Sequence, residues 1–266
     1  MGNSKRVLVT AGAAGIGRAI AQAFAAVGAK VHVCDLDAAA LAQLRTQLPG
    51  VSTSVCDIGD RSAVQSMVAE AAEVLGGLDV LVNNAGISGP TASVEQMDPD
   101  AWEAVLRINL TGTFNATRHA IPHLKRSDHG AILVMWSLAG RFGYPNRSPY
   151  STSKWGLIGF TKTLARELGE FGIRVNAILP GAVEGPRIER VLEGRASASG
   201  RSVAEERANA LTNQSIKRFV APEDIGALAV FSRPTPPVRS RGRSCRSTAT
   251  RRAPPDSGSR PWTSPI

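Results

Sequence analysis

From residue 6 to residue 231, short runs dominated by apolar residues alternate with longer stretches in which apolar positions return every three or four residues. The short runs, Arg6–Thr10, Val31–Asp35, Val51–Val55, Val80–Asn83, Ala131–Ser137 and Val175–Leu179, read as six strands. The longer stretches predict helices over Gly15–Val27, Ala38–Leu48, Asp60–Leu75, Asp100–Leu124 and Pro149–Phe171. Strands that are apolar throughout have both faces covered, and a helix after each strand supplies the cover. The expected fold class is therefore α/β, a doubly wound parallel sheet with helices on both faces. No period of 20–50 residues recurs, which argues against a solenoid. Residues 1–231 are expected to form a single domain.

After Phe231 the pattern stops. Residues 232–266 are rich in Arg, Pro and Ser, show no apolar periodicity, and by composition alone are expected to be disordered. This tail also changes the meaning of the net charge of +9, since it carries +7 of it and leaves only +2 on the rest. A nucleic-acid-binding body is thereby disfavoured. Cys34, Cys56 and Cys245 are widely spaced with no C-x-x-C, so neither a disulfide framework nor a zinc site is indicated. The first two fall in strand-like runs and are expected to be buried, reduced thiols. No apolar run reaches the ~18 residues of a membrane span, and no signal-peptide pattern precedes Val7. The expected location is the cytoplasm.

Gly12, Gly15 and Gly17 lie between the first strand and the first helix. Glycines there let the backbone approach a pyrophosphate, and the helix N-terminus turns unpaired N–H groups toward it. Asp35 closes the second strand, 18 residues after Gly17. A carboxylate near that spacing bonds the ribose hydroxyls of a dinucleotide and repels a 2′-phosphate. Its bland alternative is a helix cap or a solvated loop acid. Leu36 follows it and residues 11–17 hold no Lys or Arg, so the reading favours NAD over NADP.

Tyr150 and Lys154 are four residues apart, so on a helix both rise from one face. A phenol with a pKa near ~10 is a poor acid-base group at neutral pH, and a neighbouring ammonium favours its phenolate. Ser137, at the end of the fifth strand-like run, offers a hydroxyl to a substrate oxygen.

Together these motifs resemble the short-chain dehydrogenase/reductase family over about residues 5–231. The run Thr10 to Gly17 is similar to the family's T-G-x-x-x-G-I-G, including Ile16, with Ala11 in place of its first glycine. Asp57-Ile58 resembles the pair that holds the adenine, while Asp60 reads as a cap for the next helix. Asn83-Asn84-Ala85-Gly86 matches the N-N-A-G run, and Asn109 matches the asparagine that keeps a water for the proton relay. The 13 residues from Ser137 to Tyr150 match the family spacing, and Pro180-Gly181 matches its proline-glycine after the sixth strand. The resemblance implies a Rossmann fold, an NAD(H) cofactor, and hydride transfer with a small-molecule secondary alcohol or ketone. It implies Ser137, Tyr150, Lys154 and Asn109 as catalytic residues, with no metal. The implied cofactor contacts are Gly12, Gly15, Ile16, Gly17, Asp35, Leu36, Asp57, Ile58, Asn84, Ala85, Gly86, Tyr150, Lys154, Pro180, Gly181 and Val183.

The chain departs from the family in two places. Where the family often has a nicotinamide-contacting Thr, this chain has Glu184, which either faces a polar substrate or is a solvated acid. Residues 182–215 are expected to form the substrate lid. After Phe231 the family's last strand is absent, and third-base freedom permits a reading two bases later that contains Gly-Gln-Ile-Leu-Pro-Ile-Asp-Gly. A shifted reading frame is the expected origin of the tail, with a genuine basic tail as the competitor. The family's homotetramer or dimer contacts are then altered. A non-enzymatic NAD-binding or scaffold role is the alternative function. Substrate identity is left open, among sugars, hydroxy acids, steroids and 3-oxoacyl thioesters.

Overall fold

Six parallel strands in the order β3-β2-β1-β4-β5-β6 carry the fold. The structure, a computed structural model, describes residues 4–212 and 214–232. The strands are β1 Arg6–Thr10, β2 Lys30–Asp35, β3 Ser52–Val55, β4 Val80–Asn83, β5 Ala131–Met135 and β6 Arg174–Ile178. The first five helices are α1 Gly15–Ala26, α2 Ala38–Gln47, α3 Arg61–Leu75, α4 Pro99–Leu106 and α5 Gly112–Leu124. They are followed by α6 Ser148–Glu167, α7 Pro186–Ser199, α8 Val203–Leu211 and α9 Pro222–Phe231. Chain order reverses direction across the sheet between β1 and β4, which makes a crevice at their C-terminal ends. The doubly wound α/β class read from the sequence is the observed one.

Alternation along each strand fills the two sides. Leu8, Leu81, Ile132 and Val134 face one side and meet Val64 and Val68 of α3, Ala116 and Ala120 of α5, and Leu157 and Leu164 of α6. Val7, Val9, Val80, Val82 and Leu133 face the other and meet Ile20 and Phe24 of α1, Leu41 and Leu44 of α2, and Ile225 of α9. Cys34 and Cys56 are buried free thiols in the first of these layers, as their apolar context suggested.

Two local expectations are corrected, and the lid segment gains detail. The run Ala131–Ser137 ends as a strand at Met135, because Ser137 turns its hydroxyl to the backbone N–H of Ala139 and starts a short 3₁₀ turn over Leu138–Gly140. The single helix expected over Asp100–Leu124 starts at Pro99 and is interrupted by a π-turn over Arg107–Thr111. The expected lid contains two helices, α7 and α8, the second closed by a reciprocal Ser202–Glu205 capping box. At the far edge β6 has β5 as its neighbour among the described residues. The expected disordered tail and its reading-frame origin lie outside the described residues, as does Cys245. No helix among the described residues is long and apolar enough to cross a membrane.

Candidate active site

The glycine turn opens where β1 ends. Ala11 takes φ +49°, the left-handed region that favours glycine, and Gly15 follows at φ +52°. Gly17 is packed from three sides: a Cβ there would lie 2.2 Å from the Ala11 carbonyl oxygen and 2.5 Å from Asn84 Nδ2. Asn84 Nδ2 donates to the carbonyls of Thr10 (3.0 Å) and Ala11 (2.8 Å), so the loop after β4 holds the glycine turn in place. Thr10 Oγ1 accepts from the N–H groups of Asn84 and Ala85, both at 3.0 Å. The α1 N-terminus has Ala14 at its cap and hence no side-chain oxygen on its first N–H groups. An anion is the natural partner for such an end.

Asp35 turns back toward this loop. Its Oδ2 accepts from Ala13 N at 3.0 Å and its Oδ1 from Asp37 N at 3.3 Å. The cap of α2 is Asp37, whose Oδ1 accepts from Ala40 N at 2.9 Å, so the helix-cap explanation for Asp35 falls away. Leu36 is 68% exposed beside it. Asp57 accepts from Gly59 N at 2.8 Å and pairs loosely with Arg107 at 3.7 Å, while Ile58 is buried in the core. Asp60 caps α3 through Ser62 N and Ala63 N, as its position suggested.

Ser137, Tyr150 and Lys154 come from adjoining pieces. Tyr150 and Lys154 sit in the first two turns of α6, with Lys154 Nζ 5.6 Å from the centre of the Tyr150 ring. Lys154 Nζ donates to the Met135 carbonyl at 2.9 Å, which ties α6 to the end of β5. Ser151 Oγ donates to Ala139 O at 2.9 Å and fastens the same helix to the turn that begins at Ser137. Burial, with the Arg187 guanidinium adding to it, lowers the Lys154 ammonium to about 7.

Asn109 lies on the π-turn and is fully buried. Its Oδ1 accepts from Ile87 N at 2.7 Å; its Nδ2 donates to Ile87 O at 3.0 Å and to Ser153 Oγ at 3.1 Å. A helix running as i→i+4 throughout would rotate this side chain away from the clamp, which is why the π-turn sits here. A Cβ on Gly86 would lie 3.1 Å from Asn109 Oδ1 and 3.7 Å from Lys154 Nζ, so the two side chains border one small space.

Pro180 O accepts from Leu138 N at 3.3 Å, linking the turn after β6 to the Ser137 turn. Val183 bridges to Val220, and the flanking bonds Val220 N to Ala182 O and Glu184 N to Val220 O fix this backbone. The Glu184 residue is exposed.

Three arginines were not legible as site residues in the sequence. Arg147 is 2% exposed; its Nη2 donates to Ser88 O at 2.8 Å, and its guanidinium is 5.4 Å from the Tyr150 ring centre. From α7, Arg187 donates to the Gly86 carbonyl and Arg195 to the Tyr144 hydroxyl. The available signal was that Arg187 and Arg195 are eight residues apart, about two turns along one helix and on a similar side of it.

The chain has recognisable relatives. The family model for short chain dehydrogenases matches residues 5–195. A D-beta-hydroxybutyrate dehydrogenase of Cupriavidus necator is 38% identical over 234 residues, covering 86% of this chain and 90% of its own. Among solved structures, an NAD+-bound xylitol dehydrogenase is 30% identical with a TM-score of 0.81, covering 86% of this chain and 92% of its own. An actinorhodin polyketide ketoreductase with NADPH is 32% identical, also with a TM-score of 0.81, over 86% of this chain and 89% of its own. Family model, relatives and fold agree: the chain belongs to the short-chain dehydrogenase/reductase family, as an NAD(P)(H)-type dinucleotide-dependent oxidoreductase of alcohols and ketones.

Proposed function

We propose that this enzyme uses NAD(H) in preference to NADP(H), with Tyr150 as the proton-transferring group. The observation that carries the cofactor preference is Asp35, whose carboxylate is aimed at the glycine turn through Ala13 N. A 2′-phosphate placed beside it meets like charge and, with Leu36 next in sequence, no compensating cation from that position. The tightly filled turn at Gly17 and the uncapped start of α1 fit a pyrophosphate. When bound, the dinucleotide supplies the hydride acceptor or donor at its nicotinamide.

The chain's own residues handle the proton and the geometry. Ser137 Oγ orients the substrate oxygen, and the Tyr150 hydroxyl gives or takes its proton. Lys154 stabilises the phenolate formed in that exchange and would hold the nicotinamide ribose of a bound dinucleotide. The Asn109 side chain is engaged with Ile87 and Ser153, so its main-chain carbonyl, which also accepts from Thr113 Oγ1 at 2.8 Å, is the group that retains a water for the relay. Charges placed in advance around a reacting oxygen are worth more here than in water. Exposed Phe114 on α5 and Trp155 on α6 support a homo-oligomer.

Steady-state kinetics with both dinucleotides tests the preference. Asp35→Ser should bring the NAD-over-NADP ratio of kcat/KM down at least tenfold, mainly by improving NADP. A ratio unchanged by the substitution would overturn the role of Asp35.

A further inference from the structure

We propose that the substrate is an anionic hydroxy or oxo acid, its carboxylate held by Arg187 and Arg195 of α7 above Arg147. This rests on the oxidoreductase reading of the same site and names the substrate class it serves. Around Tyr150 the structure gathers three guanidiniums and no described carboxylate pairs with any of them. Arg147 is the most demanding of the three. It is almost wholly buried, its Nε has no hydrogen-bond partner, and its polar side-chain contact is the neutral carbonyl of Ser88. A buried charge left without a counter-charge is costly, with only the Tyr144 and Tyr150 rings nearby to offset it, and an anionic ligand would supply the missing counter-charge.

The neighbours fix where that anion sits. Arg147 lies 5.4 Å from the Tyr150 ring centre and 5.9 Å from that of Tyr144, and Arg195 lies 4.8 Å from the Tyr144 ring on its own bond to the hydroxyl. Tyr144 therefore joins the two cations beside the catalytic phenol. Arg187 reaches the Gly86 carbonyl, next to Lys154, whose ammonium it disfavours. Helix α7 lies close to the loop at Thr91, where a Cβ on Gly194 would be 3.0 Å from Thr91 Oγ1, and the next residue of that loop, Ala92, donates its N–H to Asn146 O at 3.0 Å, beside Arg147. Guanidinium forks match a carboxylate with paired, charge-assisted hydrogen bonds. The reaction stays balanced: the secondary alcohol's carbon gives up a hydride to the dinucleotide, its hydroxyl proton passes to Tyr150, and the carboxylate is unchanged.

The test pairs acids with neutral alcohols of matched length on the intact enzyme with NAD: 2-hydroxybutyrate, 3-hydroxybutyrate and 4-hydroxypentanoate against butan-2-ol, pentan-2-ol and the methyl esters. At least one acid should exceed its neutral partner in kcat/KM by about 30-fold or more, the scale of charge-assisted hydrogen bonds to a carboxylate. Arg187→Gln/Arg195→Gln should collapse that acid-over-neutral ratio at least tenfold, chiefly through KM. A separate titration should find the NAD Kd of this variant within threefold of the parent. Equal use of acids and neutral alcohols overturns the inference while leaving the oxidoreductase reading intact. A variant that loses NAD affinity in step with activity also overturns it, because the arginines then serve the dinucleotide's phosphates. No turnover of either class overturns the acid inference, and turnover of a neutral sugar or steroid alcohol by the same preparation then shows that the oxidoreductase reading stands.

Discussion

Gly17→Ala puts one methyl group where the structure has no room for it. The added carbon would stand 2.2 Å from the Ala11 carbonyl, 2.5 Å from Asn84 Nδ2 and 2.8 Å from Gly12 Cα, two of the three being backbone atoms. To reach even a tight contact, the turn must retreat by about 0.8 Å from the carbonyl side. That displacement stretches the 2.8 Å bond from Asn84 Nδ2 to Ala11 O beyond useful length. Overpacking costs roughly 1–3 kcal/mol and the lost hydrogen bond about 1 kcal/mol, for a total of about 2–4 kcal/mol. For a folded unit of this size that is a fall in Tm of roughly 4–16 °C. The moved turn is also the proposed pyrophosphate cradle, so the Kd for NAD should rise at least tenfold. Gly15→Ala is the control. Unlike Gly17, Gly15 is at positive φ, and a side chain there points into open space, so the change costs about 1–2 kcal/mol of backbone strain and no collision. Thermal unfolding and NAD titration of both variants decide the matter. If Gly17→Ala is no worse than Gly15→Ala in stability and in NAD affinity, the packing argument for the glycine turn is wrong.

Other expected outcomes address the same machinery. Ala11→Gly relieves left-handed strain of about 1–2 kcal/mol and returns about 0.4–1 kcal/mol through a freer unfolded chain. A small gain in Tm with NAD affinity kept is expected, and a clear loss of stability would contradict it. Lys154 gives a pH signature. Its folded value of about 7 lies below the ordinary 10.5, so between those values the unfolded chain holds more protons. Stability contributed through this group is therefore lowest below pH 7 and rises with pH up to 10.5, by at most ~1.4 kcal/mol per unit. Urea unfolding at pH 7 and pH 9 should show the parent gaining relative to Lys154→Met. Parallel changes in the two proteins would refute the burial cost assigned to Lys154.

What the sequence disclosed and what it hid have physical reasons. Strands buried on both faces announce themselves as unbroken apolar runs, and β1, β4 and β5 were legible for that reason. The Tyr150–Lys154 pair was legible because helical spacing alone puts both on one face. The π-turn at Asn109 was not, since the clamp on Ile87 and Ser153 that it serves is a tertiary contact and the one local cue, Gly112 just after it, reads equally well as a residue inside a helix. Helices α7 and α8 were folded into an undivided lid because only Leu192 and Glu206 are buried in them, which leaves no apolar period to read. Their end signals were present all the same: Pro186 at the first turn, Gly200 in the left-handed region, and Ser202 with Glu205. Asp35 and Asp37 show the limit of spacing arguments. Both stand before α2, and only the backbone direction assigns the cap to Asp37 and turns Asp35 to the glycine turn. Arg147 stayed hidden because nothing in composition marks a cation for burial.

The central claim is that Tyr150 moves the proton in a hydride transfer coupled to NAD(H). Tyr150→Phe removes one oxygen and preserves the ring that lies against Arg147 and Lys154. NADH absorbance with an accepted alcohol, alongside an NAD titration of the same variant, tests this most directly. Turnover should fall by at least about 10²-fold, the lower scale of general acid-base catalysis, while the NAD Kd stays within threefold. A Tyr150→Phe enzyme that turns over at the parent rate would contradict the account.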